Sequence, residues 1–336
     1  MSQRALHLLA AFAAVYVIWG STYLAIRLLV DTLPGFIMVG LRFLIAGLLL
    51  AAYAAVRGAR MPSVRELRST AVIGLMLLFC GTGAVVWSAD YLPSGLMALL
   101  VAMEPMWIAL MLWIGGRRPT ASTVAALGLG FLGAAVLAAP GDVLAGAAIH
   151  LPSVAVINFG CLSWAAGSLY ARRAELPSSP VVNSAAQMIF GGLGLLAFGL
   201  ARGELSGFEI EAVSATSFLA FLYLIVFGSL IAFSAYAWLI RTVDPTLVST
   251  HTFVNPVVAV FLGWWIADEV VGPRTLVAAA AIVLSVILLT MQEARRRRSG
   301  ARSRSHGDQS TAPAEGSTSA PDPPAPVPAA NRCEAA

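Results

Sequence analysis

The sequence predicts an all-α integral membrane protein: ten transmembrane helices arranged as two inverted five-helix repeats, with both termini cytoplasmic. Three observations predict it. The 336 residues are 59% hydrophobic and 11% charged, with a mean hydropathy of +0.82, against about 25% charged residues in soluble domains. The apolar residues fall in runs of about 20, each able to cross a hydrocarbon core roughly 30 Å thick, and the breaks between runs are short. The two halves of the chain also resemble each other.

Hydropathy and punctuation predict helices over 6–29, 34–56, 70–89, 94–115, 121–139, 151–172, 180–200, 216–240, 246–267 and 272–291. Pro34, Pro93, Pro119, Pro152, Pro180, Pro245 and Pro273 sit at or near the starts of these runs, where a missing N–H costs least. The first run follows Arg4 as a signal peptide would, but it is too long for a signal's apolar region and reads as a retained helix.

All 21 basic residues are arginine, and their placement sets the orientation. Arg57, Arg60, Arg65 and Arg68, then Arg117 with Arg118, Arg172 with Arg173, and Arg241 occupy alternate loops, which are cytoplasmic by the positive-inside rule. The opposite loops hold Asp31, Asp90, Asp142, the Glu204–Glu211 segment and Asp268 with Glu269, and among basic residues Arg202 and Arg274. From Arg295 the composition turns to arginine, Ser, Pro, Ala and Gly without apolar periodicity, which predicts a disordered cytoplasmic tail over 295–336. Its arginines suit either anionic headgroups or a stop-transfer flank.

The repeat is legible at two offsets. WGSTYLAIRLL from Trp19 aligns with WAAGSLYARRA from Trp164 at 145 residues, which also places Arg42 over Gln187 and Gly47 over Gly192. At 151 residues Trp87 falls on Trp238, Glu104 and Pro105 fall on Asn255 and Pro256, and Trp113 falls on Trp264. The repeats therefore cover 6–139 and 151–291. Five crossings per repeat force the second copy to enter from the other side, the symmetry of secondary transporters.

These segments resemble the EamA-type drug/metabolite transporter family, through WGSTYLAIR and PGFIMVGLRFLIAG in the first half. LSWAAGSLYARR, GSLIAFSAYAWLIRTVDPTLVS and FVNPVVAVFLG carry the likeness in the second. The resemblance covers about residues 10–290. It implies an inner-membrane carrier with no ATP-binding part, exporting amino acids, metabolites or toxic compounds through a central cavity. Two positions depart from the family pattern: Gly115, Gly116, Arg117 and Arg118 stand where a Gly-Glu pair is common, and His251 stands where an uncharged residue is expected.

Ionisable groups in a bilayer are costly and mark function. Arg42 and Glu104 lie roughly 12 to 15 Å from the acidic surface at 1.5 Å per residue and suit an ion pair facing the cavity, a static structural pair or a solvated cavity wall, with Glu104 and His251 as proton-coupling candidates. His251 and Asn255, one turn apart, share a helix face. Pro105 and Pro256 free a carbonyl near mid-depth, giving a polar backbone site, a hinge or a packing kink. Trp19 and Trp164, away from the interfaces where Trp gathers, are expected to line the cavity with Tyr23, Trp87, Gln187 and Tyr236, or else to pack helices. Such an aromatic cavity suits small organic solutes. Small residues on helices 5 and 10 suit packing in the bundle or a homodimer.

The three cysteines have no spacing for a disulfide framework or metal, and neither cofactor nor nucleic acid is expected. An intramembrane enzyme would need a convergent catalytic set, and no G-x-S-x-G or H-E-x-x-H motif is present. An uptake carrier or facilitator of the same fold remains the alternative to an exporter.

Overall fold

The computed structural model describes residues 3–116, 118–138, 150–243, 248 and 251–310, and these form helices joined by short connections. In chain order they are α1 (Gln3–Val30), α2 (Gly35–Val56), α3 (Val64–Ser88), α4 (Ser94–Ile114), α5 (Ala121–Ala138), α6 (Leu151–Ala171), α7 (Pro180–Ala201), α8 (215–242), α9 (His251–Ile266) and α10 (Pro273–Ser310). Seven of these helices, α1 to α4 and α6 to α8, are long and apolar enough to cross a membrane. Shorter apolar stretches lie at Ala121–Ala134, Val254–Ile266 and Pro273–Leu289.

Helix α3 begins six residues before the predicted start because its first turn is built by a capping box and not by hydropathy. Ser63 accepts from Glu66 N, and the Glu66 side chain accepts from Ser63 N, so two of the orphan amides at the helix start are satisfied. Helical geometry is assigned as far as Ser310. Extending a formed helix costs far less than nucleating one, and arginine is a good helix former. Residues 311–336 lie outside the described residues.

The seam between α2 and α7 carries the internal symmetry. A Cβ added at Gly40 would lie 2.9 Å from Gly192 O, and one added at Gly47 would lie 2.9 Å from Ala185 O. The offset of 145 maps Gly40 onto Ala185 and Gly47 onto Gly192, so the two contacts are mirror images of one another. Only glycine allows backbones this close, as small residues do at helix interfaces in membranes. Helices α5 and α10 pack in the same way, with Gly133 against Ala281 and Ile282 and Ser285 Oγ donating to Ala126 O at 2.5 Å.

The two ends of the bundle differ in charge and in packing. At the acidic end, Ser214 N donates to Thr32 Oγ1 at 3.1 Å and Ser217 Oγ donates to Leu28 O at 2.7 Å, tying α8 to α1. Tyr91 stacks on His150 at 4.2 Å. The arginine-rich end holds Arg60–Glu66 and Arg65–Glu175 pairs. In α4, every residue from Ser94 to Leu100 is buried, whereas from Glu104 to Ile114 only Met106 is. In α1, five residues of Trp19–Val30 are buried and none of Gln3–Ala13. The main apolar core lies mostly in the acidic half and extends past the break through Met106, Ala126, Leu127, Val286 and Leu289, and the opposite half of α1 joins the small cluster of Val15, Leu239 and Val248.

Candidate functional site

Where the tight half gives way to the open one, four helices depart from regular geometry. Helix α4 breaks at Ala102 and Met103, so that Glu104 begins a new helical segment with Pro105 behind it. Pro105 cannot donate to Val101 O, and Cys161 Sγ of α6 lies 3.9 Å from that carbonyl and donates to Leu100 O at 3.6 Å. Helices α3 and α8 each contain a π-helical stretch, Leu75–Thr82 and Leu224–Ile231, at corresponding places of the two repeats. A third, Ala14–Ile18, lies in α1. π-Bulges inside helices occur frequently at functional sites because they redirect side chains and backbone carbonyls.

Side chains from the first repeat use what these stretches expose. Trp19 Nε1 donates to Gly228 O at 3.2 Å, and Arg42 Nε donates to Ser229 Oγ at 2.9 Å. In the mirror position Ser163 Oγ donates to Met76 O at 3.0 Å, and Trp164 lies against Gly81 so closely that a Cβ there would be 2.7 Å from its ring. Trp19 and Trp164 thus pack on the π-stretches of α8 and α3.

Arg42 is 6% exposed and its guanidinium stacks on Phe43 at 4.5 Å. The expected Arg42–Glu104 ion pair is absent: among the described residues no ion pair includes either group, and one terminal nitrogen of Arg42 has no hydrogen-bond partner. Arg42 is instead held by α8 through Ser229. Glu104 lies within electrostatic range of Tyr23, Tyr236 and Cys161, and it is partly exposed.

An aromatic group lies where α1, α8 and α9 meet. Trp19 lies 5.0 Å from Tyr236 and 5.3 Å from His251, and Tyr236 lies 5.8 Å from His251. His251 Nδ1 meets Val248 O at 2.9 Å; a carbonyl only accepts, so Nδ1 carries the proton and Nε2 remains the acceptor. Asn255, with its amide nitrogen turned toward them, donates to His251 O and Tyr16 O at 3.2 Å each, so it joins α9 to α1. Pro256 is buried inside α9, which stays helical, unlike its mate at Pro105.

The other expected site residues are dispersed. Trp87 joins Tyr91 and His150 at the acidic end, 5.4 and 5.9 Å away. Gln187 donates to Asn183 Oδ1 within α7 at 3.1 Å. Asp90, beside Trp87 in the connection to α4, has its carboxyl pushed up by partial burial, against the pull of Arg27 and Arg202. Sequence reasoning missed Ser229, Asn158, which accepts from Trp107 Nε1 at 3.3 Å, and the Ser21–Tyr223 hydroxyl contact of 2.6 Å. Asn158 and Tyr223 were findable as polar groups inside apolar runs. No residue pattern announces a π-stretch.

Comparison with known proteins agrees with this architecture. The model of the EamA-like transporter family matches residues 6–139 and again 151–291. The uncharacterized inner membrane transporter YedA of Escherichia coli (strain K12) is 37% identical over 291 residues, covering 86% of this chain and 92% of the relative. A probable terminal-alkyne amino-acid exporter of Streptantibioticus cattleyicolor is 27% identical over 297 residues, covering 86% and 95%. One crystal structure, 20% identical, shares the fold with a TM-score of 0.56 over 87% of this chain and 98% of that one. With both repeats matched and a relative this similar over most of its length, the chain belongs to the EamA-like transporter family and is a multi-pass inner-membrane transporter.

Proposed function

We propose that the protein exports small organic solutes, amino acids and related compounds among them, by alternating access through ten membrane crossings, with both termini and the arginine-rich end in the cytoplasm. The observation that carries this reading is the contrast along α4, buried at every position from Ser94 to Leu100 and open beyond Met106. A bundle sealed at one end and loose at the other is one of the two states an alternating carrier needs. Its inverted repeats provide the other by exchanging conformations, as in secondary transporters. The positive-inside rule puts the loose end at the cytoplasm, where an exporter collects its load.

Within the proposed cavity, the partly exposed carboxylate of Glu104, Tyr23, and the Trp19–Tyr236–His251 group offer one acidic and several aromatic contacts. These suit an amphipathic or cationic organic group better than an inorganic ion. The probable amino-acid exporter among the relatives supports the same substrate range. Glu104 is the proposed proton carrier, because an intramembrane carboxylate without an ion-pair partner can gain and lose a proton as solute enters and leaves.

The test is transport of radiolabelled amino acids, nucleosides and cationic dyes in proteoliposomes, with and without an imposed pH gradient. Solute movement that follows the gradient is expected. Movement indifferent to it would make the protein a uniporter, and no movement of any compound would overturn the reading.

A further inference from the structure

Four helices of the bundle end in a residue of left-handed backbone: α2 at Gly58, α4 at Gly116, α7 at Gly203 and α9 at Asp268, with φ of 68°, 89°, 72° and 50°. The next residue is Ala59, Arg117, Glu204 and Glu269, respectively. The turns are related by the repeat, since the offset of 145 carries Ala54, Gly58 and Ala59 onto Gly199, Gly203 and Glu204. The backbones of this pair agree too, since Ala59 N donates to Ala54 O at 2.9 Å and Glu204 N to Gly199 O at 3.1 Å; at the end of α9 the turn is one residue wider, with Glu269 N donating to Gly263 O at 3.0 Å.

Only in the second repeat is the residue after the turn a carboxylate, and both carboxylates reach across into the first repeat. Glu204 accepts from Phe36 N at 3.3 Å and Ile37 N at 3.0 Å, at the start of α2. Glu269 accepts from Ser94 N at 2.7 Å and Gly95 N at 3.2 Å, at the start of α4. Each takes two of the amides that a helix start leaves without partners, with its charge at the positive end of the helix dipole. Both glycines make room for this: a Cβ on Gly199 would lie 3.0 Å from Glu204 Oε2, and one on Gly263 would lie closer still to Glu269 Oε2.

At the arginine-rich end the offsets of 145 and 151 make the corresponding positions Ala59 and Arg118, neither of which can accept from amides through a carboxylate. The helix start that Ala59 would serve, that of α7, is capped from within its own repeat by Ser179 Oγ, 3.5 Å from Val182 N. Cross-repeat carboxylate caps of this design therefore belong to the acidic end, which is also the end that is tightly packed.

We propose that Glu204 and Glu269 are positioning residues that latch the outer mouth, making the state open to the cytoplasm the resting state of the carrier. The inference rests on the alternating-access reading above. Outward opening must separate α2 and α4 from the second repeat at these starts, breaking four charge-assisted hydrogen bonds, whereas among the described residues inward opening breaks no equivalent pair. The latches thereby set the sidedness of two halves that would otherwise be nearly interchangeable.

Hydrogen exchange of the full chain in proteoliposomes, read by mass spectrometry, tests this alongside the transport assay. In Glu204→Gln and Glu269→Gln, and most strongly in the double variant, exchange is expected to rise about tenfold at the outer ends of α2 and α4. It should fall at the inner parts of α1 and α4, residues 3–13 and 107–114. A static cap would free only its own amides, so local loss without the opposite change at the far end would overturn the proposal. Ala59→Glu offers a variant that leaves the outer caps intact: its carboxylate would meet the starting amides of α7 around Val181 and Val182, and should shift exchange in the same sense. If the glutamine variants fail to insert, the Ala59→Glu result decides alone, and unchanged exchange there overturns the latch. Wild-type transport with unchanged exchange in all variants would reject the latch and keep the carrier. Absent wild-type transport with reciprocal exchange would reject the solute range and keep the latch.

Discussion

The acidic and arginine-rich ends of this bundle are made of mirror-related parts, yet one is sealed and the other is not. The difference is plainest within single helices. In α4 an unbroken run of buried residues ends where the helix breaks before Glu104, and beyond the break only Met106 is buried. In α1 the burial falls on Val15 of the π-helical stretch and on the half that follows it. Apolar composition is nearly the same on both sides of each break, so the contrast is one of assembly. A repeated sequence therefore need not pack symmetrically: a few unmatched residues in short connections are enough to favour one of two similar arrangements.

The most severe way to break the comparison is to attack the seam both ends share. Gly192→Leu places a side chain against Gly40 O and Leu44 N, where backbone cannot yield. Overpacking in a filled core costs about 1 to 3 kcal/mol and more where backbone must move, so thermal unfolding in detergent should occur well below that of the wild type, with both ends lost together.

Arg42→Ala is expected to lower transport about a hundredfold while leaving membrane insertion intact. It removes the buried cation that holds the π-helical stretch of α8 through Ser229, and a buried charge-assisted hydrogen bond is worth about 1.5 to 3 kcal/mol. Rates in proteoliposomes, set against the amount of inserted protein, check this; wild-type rates would reduce Arg42 to a packing residue.

Glu104→Gln sharpens the comparison on the open side. It keeps the shape of the side chain and removes the group that can carry a proton, so solute movement should continue and lose its response to an imposed pH gradient. A variant that still follows the gradient would move the coupling elsewhere, with His251 the next group to replace. Ser63→Ala has the smallest expected effect. It removes a cap that stays within one repeat, costing about 1 kcal/mol, and should leave the hydrogen-exchange balance between the two ends unchanged.

The helices were legible because hydropathy registers the cost of putting each residue in lipid, and that cost depends on the residue and its near neighbours. The same logic failed at the start of α3, where Ser63 and Glu66 form a capping box in a polar segment. Candidate residues such as Glu104, Arg42 and His251 stood out as ionisable groups in apolar runs. Their partners did not, because a shared depth says nothing about which way two helices are turned. Arg42 lies against Ser229, and Glu104 is within range of Tyr23, Tyr236 and Cys161. Asn255, aligned with Glu104 by the repeat, is occupied with the carbonyls of His251 and Tyr16.

By itself the sequence determined that this chain is a helical membrane protein, where its apolar segments run, and that its halves are repeats, because transfer into lipid and residue spacing are local properties. Tertiary structure alone decided where the helices depart from α geometry, which side chain meets which, and which end is closed. Those outcomes depend on contacts between residues far apart in the chain, such as Glu269 with Ser94 and Glu204 with Ile37. Two nearly equivalent halves can be separated by no more than a few such bonds.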